Sequence, residues 1–199
     1  MFHLTHMYAT ARAGSDDATA IFGSTLPDIA IVPGSRLDWR DFKGYPRWFD
    51  NIKNPYLRKG MICHDVVDYV AEGELNMNPV WGTGWAFNLS KRLFPKLETA
   101  WGHSAAEWTL ELYVAKIHPE VFGLFNKTIK SVNLETVSED IAQAMRADKK
   151  EIYRAVRRFI PFTVLINNLA TRPFKILANP EQGREQALEA CISAARKVV

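Results

Sequence analysis

Helical periodicity is the feature that most restricts the fold of this chain. Between residues 56 and 70, the apolar side chains recur at helical spacings, at Met61, Ile62, Val66, Val67 and Val70. This pattern is typical of a helix that buries one face. The sequence lacks the alternating apolar pattern, bounded by Asn-Gly or Asp-Gly turns, that indicates hairpin strands. We therefore predict an all-α fold, a helical bundle in which residues 1–199 form one domain.

Local signals place the other helices. A first helix is predicted from Thr5 to Ala11, and the oxygen-bearing side chains of residues 15–17 are predicted to cap a second and to give it an acidic first turn. A long ordered loop is expected over residues 33–55. A second strongly amphipathic helix is predicted from about Trp101 to Ile117. Further along, helix starts are predicted from three polar residues, which are Ser138, Asp148 and Asn179.

Charge and cysteine content narrow the functional classes. The 25 Lys and Arg residues exceed the 22 Asp and Glu residues by only three, and they form no long basic block, so a nucleic-acid-coating surface is not indicated. Cys63 and Cys191 are too far apart in sequence to form a CxxC pair. No secretory leader and no apolar run of about 18 residues is present. We therefore predict a cytoplasmic protein without a transmembrane segment.

Two histidine–acid pairs are the main candidates for a functional site in this sequence. His64 and Asp68 are four residues apart in the first strong helix, and His103 and Glu107 repeat that spacing in the second. Side chains at this spacing lie on one helix face, so each pair can share a metal ion. Imidazole and carboxylate ligands suit Zn²⁺, Fe²⁺ or Mn²⁺, and the lack of thiolate ligands favours a catalytic site. Glu111 lies one turn beyond Glu107 and is expected to orient His103 or His64 by accepting a ring N–H.

Each motif also has an ordinary structural explanation. A helical histidine with an acid four residues later often forms only an ion pair. Ser104 and Glu107 fit a capping box, which would leave His103 outside the helix. Cys63 is interpreted as a small core residue, and His118, which precedes a proline, as a helix-end histidine.

Four segments together resemble the zinc-dependent phospholipase C family, whose fold is shared with the P1-type nucleases. In chain order they contain Thr-His within residues 2–9, Gly-Ser-x-x-Pro-Asp within 22–29, Gly-x-x-x-His-x-x-x-Asp within 60–68, and His-x-x-x-Glu at 103–107. That family shows the same motifs in the same order. The resemblance covers about the first 120 residues.

The resemblance implies a set of metal ligands, which are His6, Asp28, His64, Asp68, His103 and Glu107. Asp68 matches the family's bridging carboxylate. Glu74 stands six residues after it, where the family usually has a histidine, and is included as a candidate ligand. An N-terminal tryptophan ligand and a histidine shortly after the Pro-Asp turn are common in the family and are not evident here. The resemblance therefore implies about two zinc ions rather than three.

The same resemblance implies a metal-dependent phosphoesterase. Metal-activated water would attack a phosphodiester or phosphomonoester, with Asp28 and Asp68 as the catalytic carboxylates. The expected substrate is a small-molecule or lipid phosphoester, and a nuclease-like activity stays open.

Two other interpretations of the sequence remain. In an HD-type phosphohydrolase, Asp65 would bind metal beside His64 and Asp68 would not, with His3 or His6 as the preceding histidine. In the phospholipase-C-like interpretation, Asp65 matters mainly for solubility or local ion pairing. His3, three residues before His6, is either an accessory ligand or, as its position just outside the first helix favours, a residue with a structural or supporting role. A non-catalytic lipid-binding or partner-binding helical protein is the third interpretation, and it predicts little or no bound metal.

Overall fold

The computed structural model describes residues 3–42, 44–72, 110–171 and 184–199, which are helical with no strand in these ranges. The prediction of an all-α protein is confirmed for this part of the chain. The helices are α1 (His3–Arg12), α2 (Ala18–Gly23), α3 (Pro55–Glu72), α4 (described over 110–117), α5 (Glu120–Ser131), α6 (Leu134–Met145), α7 (Lys149–Thr171) and α8 (Arg184–Ala195). Three 3₁₀ helices lie between α2 and α3, at Leu26–Ile31, Trp39–Phe42 and Arg47–Asn51.

Helix α1 begins earlier than the sequence predicts. It includes His3 in its first turn, so the prediction that His3 lies outside the helix is wrong. The reason is a tertiary contact, because the Glu111 carboxylate accepts hydrogen bonds from the backbone N–H groups of Leu4, at 2.6 Å, and Thr5, at 3.0 Å. These N–H groups have no partner within a helix, and local sequence normally supplies a capping side chain for them.

Local caps explain three other helix starts, those of α2, α6 and α7. Asp17 accepts hydrogen bonds from the N–H groups of Thr19 and Ala20 and so begins α2, within the predicted segment 15–17 but without the predicted acidic first turn. Asp148 precedes α7 and accepts from the N–H of Lys150 at 2.8 Å. The predicted cap at Ser138 is wrong, because Asn133 caps α6 and the Ser138 hydroxyl donates to Leu134 O inside that helix. The predicted helix start at Asn179 lies outside the described residues.

Helices α2 and α3 touch backbone to backbone. A Cβ atom placed on Gly60 would lie 2.1 Å from Ala20 O, and one placed on Gly23 would lie 2.9 Å from Leu57 O. Both distances are shorter than real Cβ contacts, so this crossing requires glycine in both helices. Each glycine belongs to one of the sequence motifs, and their contact brings the turn that follows α2 against α3.

Helix α3 runs between two apolar clusters. Leu57 and Met61 pack into a core formed with α2, the 3₁₀ helices, α6 and α7, with Phe22, Phe49, Ile141 and Phe159 as other members. Cys63 and Val67 pack into a second core formed with α1, α4 and α8, with Leu4, Leu110, Val114, Leu188 and Ile192. Cys63 is fully buried, which confirms its predicted core role.

Among the described helices, none combines the length and the apolar character needed to cross a membrane.

Candidate metal centre

Four of the predicted ligands come together. His6 is on α1, Asp28 is on the 3₁₀ helix Leu26–Ile31, and His64 and Asp68 are on α3. All four are buried, and the two carboxylates are the most accessible, with Asp28 9% and Asp68 8% exposed. The other predicted ligands, Glu74, His103 and Glu107, lie outside the described residues.

The Asp68 carboxylate lies between two imidazole rings. Its Oδ1 is 3.2 Å from His6 Nε2, and its Oδ2 is 3.2 Å from His64 Nε2. The rings of His6 and His64 stack, with centroids 4.0 Å apart and planes 20° apart. Each oxygen of one carboxylate therefore faces a nitrogen of a different histidine.

Asp28 approaches the same group from the 3₁₀ helix Leu26–Ile31. Its Oδ1 is 4.0 Å from His64 Nε2. One ligand atom from each of His6, Asp28 and His64 lies within 4.8 Å of the others, so these three residues could hold a metal ion.

A backbone contact fixes the orientation of His64. Its Nδ1 lies 2.9 Å from Ser24 O, and because a carbonyl only accepts, Nδ1 carries the hydrogen of this bond. Nε2 is then directed at Asp28 and Asp68. Metal-binding histidines commonly donate their second N–H to a carbonyl in this way. Ser24 follows Gly23, so the close crossing of α2 and α3 also brings Ser24 O within hydrogen-bond distance of His64.

Burial and charge separate the pKa values within the group. Burial alone lowers the pKa of His64, but the carboxylates of Asp68 and Asp28 raise it to about 9. Burial alone raises the pKa of Asp68, but the charge of His64 and hydrogen bonds from His6 and His64 hold it well below its usual range. Burial, together with the charge of His64, lowers the pKa of His6. The group thus favours two carboxylates with one charged imidazole.

His3, for which the sequence favoured a supporting role over that of an accessory ligand, adjoins this group. Its side chain is fully buried, its ring lies edge-on to Phe159 at 4.7 Å, and its Nδ1 is 3.5 Å from Asp28 Oδ2. Burial lowers the pKa of His3 to about 3, so the ring is neutral near pH 7. The His-x-x-His spacing of His3 and His6 at the start of a helix is the sequence signal that points to it.

Glu111 supports the centre differently from the prediction. It was expected to orient a histidine ring, but its carboxylate binds the first turn of α1, where it also accepts from the Thr5 hydroxyl at 2.8 Å. The expectation for His64 is therefore wrong, because that ring donates to Ser24 O instead. Glu111 holds the helix that carries His3 and His6.

Asp65 is buried, 2% exposed, and its Oδ2 accepts a hydrogen bond from Tyr45 N at 2.8 Å. A role in solubility, which was expected, does not fit this burial. It anchors the loop before α3 at Tyr45, where the backbone φ is +50°. This oxygen is thus engaged by the loop, whereas the HD-type interpretation requires the carboxylate as a ligand beside His64.

The two cysteines and His118 have other surroundings. Burial raises the pKa of the Cys63 thiol to about 11 and that of Cys191 to about 12, so both stay protonated near neutral pH. Thiolate is the form that binds metal. His118 lies between α4 and α5, stacks on Tyr8 and bonds its hydroxyl at 2.8 Å, as expected of a helix-end histidine.

No protein-family model, no curated protein and no solved structure matches this chain significantly.

Proposed function

We propose that this protein is a metal-dependent phosphoester hydrolase that binds divalent, zinc-type cations through His6, Asp28, His64 and Asp68. The observation that carries the proposal is the position of Asp68, whose two oxygens each lie 3.2 Å from a different imidazole nitrogen. A carboxylate that bridges two cations directs one oxygen to each of them. The phospholipase C/P1-type assignment, a count of about two zinc ions and the ligand roles of Glu74, His103 and Glu107 belong to this proposal.

The distances between donor atoms fit a coordination shell. Two ligands of a tetrahedral zinc ion, each about 2.05 Å from the metal, are about 3.3 Å apart. The nitrogen–oxygen distances in the group are 3.2, 3.2 and 4.0 Å. They bracket this value, and in the absence of a cation the two 3.2 Å contacts are hydrogen bonds at the long end of the N–H···O range. The spacing of the donor atoms is therefore compatible with a shared cation.

The charge of the group also favours a cation. Two ionised carboxylates and one charged histidine, with His3 and His6 neutral, leave a net negative charge in a buried place. Buried charge is costly unless it is compensated. When His64 gives up its proton to serve as a ligand, two negative charges match one divalent cation.

The chemistry then divides between the residues. A bound cation of this type lowers the pKa of a coordinated water and offsets the charge on a phosphoryl oxygen. Asp68 would hold two such sites at a fixed separation, and His64, oriented by Ser24 O, would supply Nε2 as a ligand. Asp28 would bind metal or accept the proton of the attacking water. The substrate in this proposal is a small-molecule or lipid phosphoester.

Metal content and chelator-sensitive turnover test this function. We expect about two Zn²⁺ per chain in protein purified without a nickel column, and hydrolysis of a nitrophenyl phosphodiester or of phosphocholine that a chelator abolishes and Zn²⁺ restores. His64→Gln should lose metal and turnover, whereas His118→Gln, a matched histidine outside the group, should keep both. Failure to bind added Zn²⁺ would contradict the metal site. Metal binding without turnover of any mono- or diester would favour the non-catalytic binding protein.

A further inference from the structure

His3 is a buried histidine whose polar atoms are not satisfied by hydrogen bonds. Its side chain is fully buried, and neither ring nitrogen has a hydrogen-bond partner among the residues that the structure describes. Asp28 Oδ2 is likewise without one in this part of the chain. Buried polar groups are paired in the great majority of cases, so each exception indicates a missing ion, a missing water or a functional role.

The two unsatisfied atoms face each other. His3 Nδ1 lies 3.5 Å from Asp28 Oδ2, beyond the usual N–H···O range of 2.7–3.2 Å. The separation is close to the distance of about 3.3 Å between two ligands of one tetrahedral zinc ion. A cation between these atoms would satisfy both.

The arrangement also repeats the one around Asp68. Asp28 lies between His3 and His64, at 3.5 and 4.0 Å, as Asp68 lies between His64 and His6. The five side chains thus alternate between imidazole and carboxylate, and His3 is at one end.

We propose that His3 is a further metal ligand, which binds through Nδ1 a divalent cation that Asp28 binds through Oδ2. This inference rests on the proposed metal site and extends it to a residue outside the predicted ligand set. Asp28 then directs Oδ1 toward His64 and Oδ2 toward His3. The Phe159 ring, 4.7 Å away at a steep angle, confines the imidazole on its apolar side.

Two substitutions of His3 distinguish a ligand from a hydrogen-bond donor. Gln retains an N–H group that can reach Asp28 but is a poor zinc ligand, whereas Leu offers no polar atom and suits the apolar surroundings. If His3 binds the cation, zinc affinity measured by competition with a chelating dye should fall by about a hundredfold in both His3→Gln and His3→Leu. Retention of affinity in His3→Gln alone would overturn the ligand role in favour of a donor to Asp28. Retention in both variants would also overturn it. Circular dichroism of the metal-free variants checks their fold.

A measurement on the unmodified chain does not depend on any variant folding. In protein labelled with ¹⁵N-histidine and loaded with ¹¹³Cd²⁺, a ligating ring nitrogen shows a cadmium–nitrogen coupling. We expect this coupling at His3 Nδ1 as well as at His6 and His64, and none at His118. Coupling at His6 and His64 without His3 would overturn this inference alone. Absence of coupling at all of them would overturn the proposed metal site itself.

Discussion

Two groups of buried aspartates in this protein have opposite surroundings. Asp140 accepts hydrogen bonds from the N–H groups of Lys53, at 2.9 Å, and Asn54, at 2.8 Å, and Asp65 accepts one from Tyr45 N. Asp28 and Asp68 instead face imidazole nitrogens at 3.2–4.0 Å. Asp65 and Asp68 are only one turn apart on α3, so helix position alone does not separate the two groups.

The difference offers a way to separate structural carboxylates from candidate metal ligands. Oxygens that accept backbone N–H groups stabilise a turn or loop, and those lone pairs are no longer available to a ligand. Oxygens that face imidazole nitrogens can share a cation with those nitrogens, because neutral imidazole is itself a metal ligand. Buried charge without full hydrogen bonding costs folding free energy, and a binding site is the common reason for retaining it.

The largest expected effect comes from replacing each of the two aspartates of α3, in turn, by alanine. In Asp68→Ala, two cations would lose their shared negative charge, so both sites should weaken together. We expect loss of more than half of the bound metal and about a thousandfold lower affinity, equivalent to about 4 kcal/mol. Asp65→Ala should keep most of its metal but lose about 2 kcal/mol of unfolding free energy, because Tyr45 N–H loses its acceptor. Elemental analysis and urea unfolding measure these effects. Equal metal retention in both variants, or loss only in Asp65→Ala, would contradict the proposal that Asp68 binds metal and Asp65 supports the loop.

The next effect concerns the helix crossing that builds the site. A methyl group at Gly60 would lie 2.1 Å from Ala20 O, so Gly60→Ala must separate α2 from α3. We expect a loss of about 3 kcal/mol and weaker zinc binding, because Ser24 O moves away from His64. Gly123 on α5 is the matched control, since open space surrounds its added Cβ. Gly123→Ala should gain up to about 1 kcal/mol from helix propensity. Similar stability of both variants in urea unfolding would contradict the close crossing.

The smallest effect is a pH dependence that belongs to Glu111. Burial raises the pKa of this carboxyl from 4.5 to about 7, so the folded state binds its proton more tightly than the unfolded state. The resulting stability is fully present below pH 4.5 and is lost as the pH rises through 7. Because Gln does not titrate, the unfolding free energy of wild type relative to Glu111→Gln should fall by about 2.5 kcal/mol between about pH 5 and pH 8. Parallel pH profiles of the two metal-free proteins would show that Glu111 has an ordinary pKa.

Much of the fold follows from local chemistry. The apolar spacing of residues 56–70 predicted α3, and it placed His64 and Asp68 on one face because residues four apart lie one above the other. Asp17 and Asp148 marked helix starts because their side chains bind nearby N–H groups. The ordered motifs also selected His6 and Asp28, which the structure brings to His64 and Asp68.

The sequence could not show which element lies opposite another. Glu111 was placed on the correct helix, yet its partner is the first turn of α1, 107 residues away. Asp65 accepts a hydrogen bond from Tyr45 N, and the first turn of α1, which begins at His3, is capped by the distant Glu111.

The sequence by itself therefore determined the helical class and the shared face of His64 and Asp68, and its resemblance to the phospholipase C family added His6 and Asp28 to the candidate site. Helix periodicity and side-chain caps depend only on residues within one or two turns, so they can be read from the chain. The tertiary structure decided that Asp28 lies between His3 and His64, that Glu111 holds α1 and that Asp65 supports a loop. Those roles depend on the close contact at Gly23 and Gly60 and on the packing of α1 beside α3. Packing, rather than spacing along the sequence, sets the distances between separate helices.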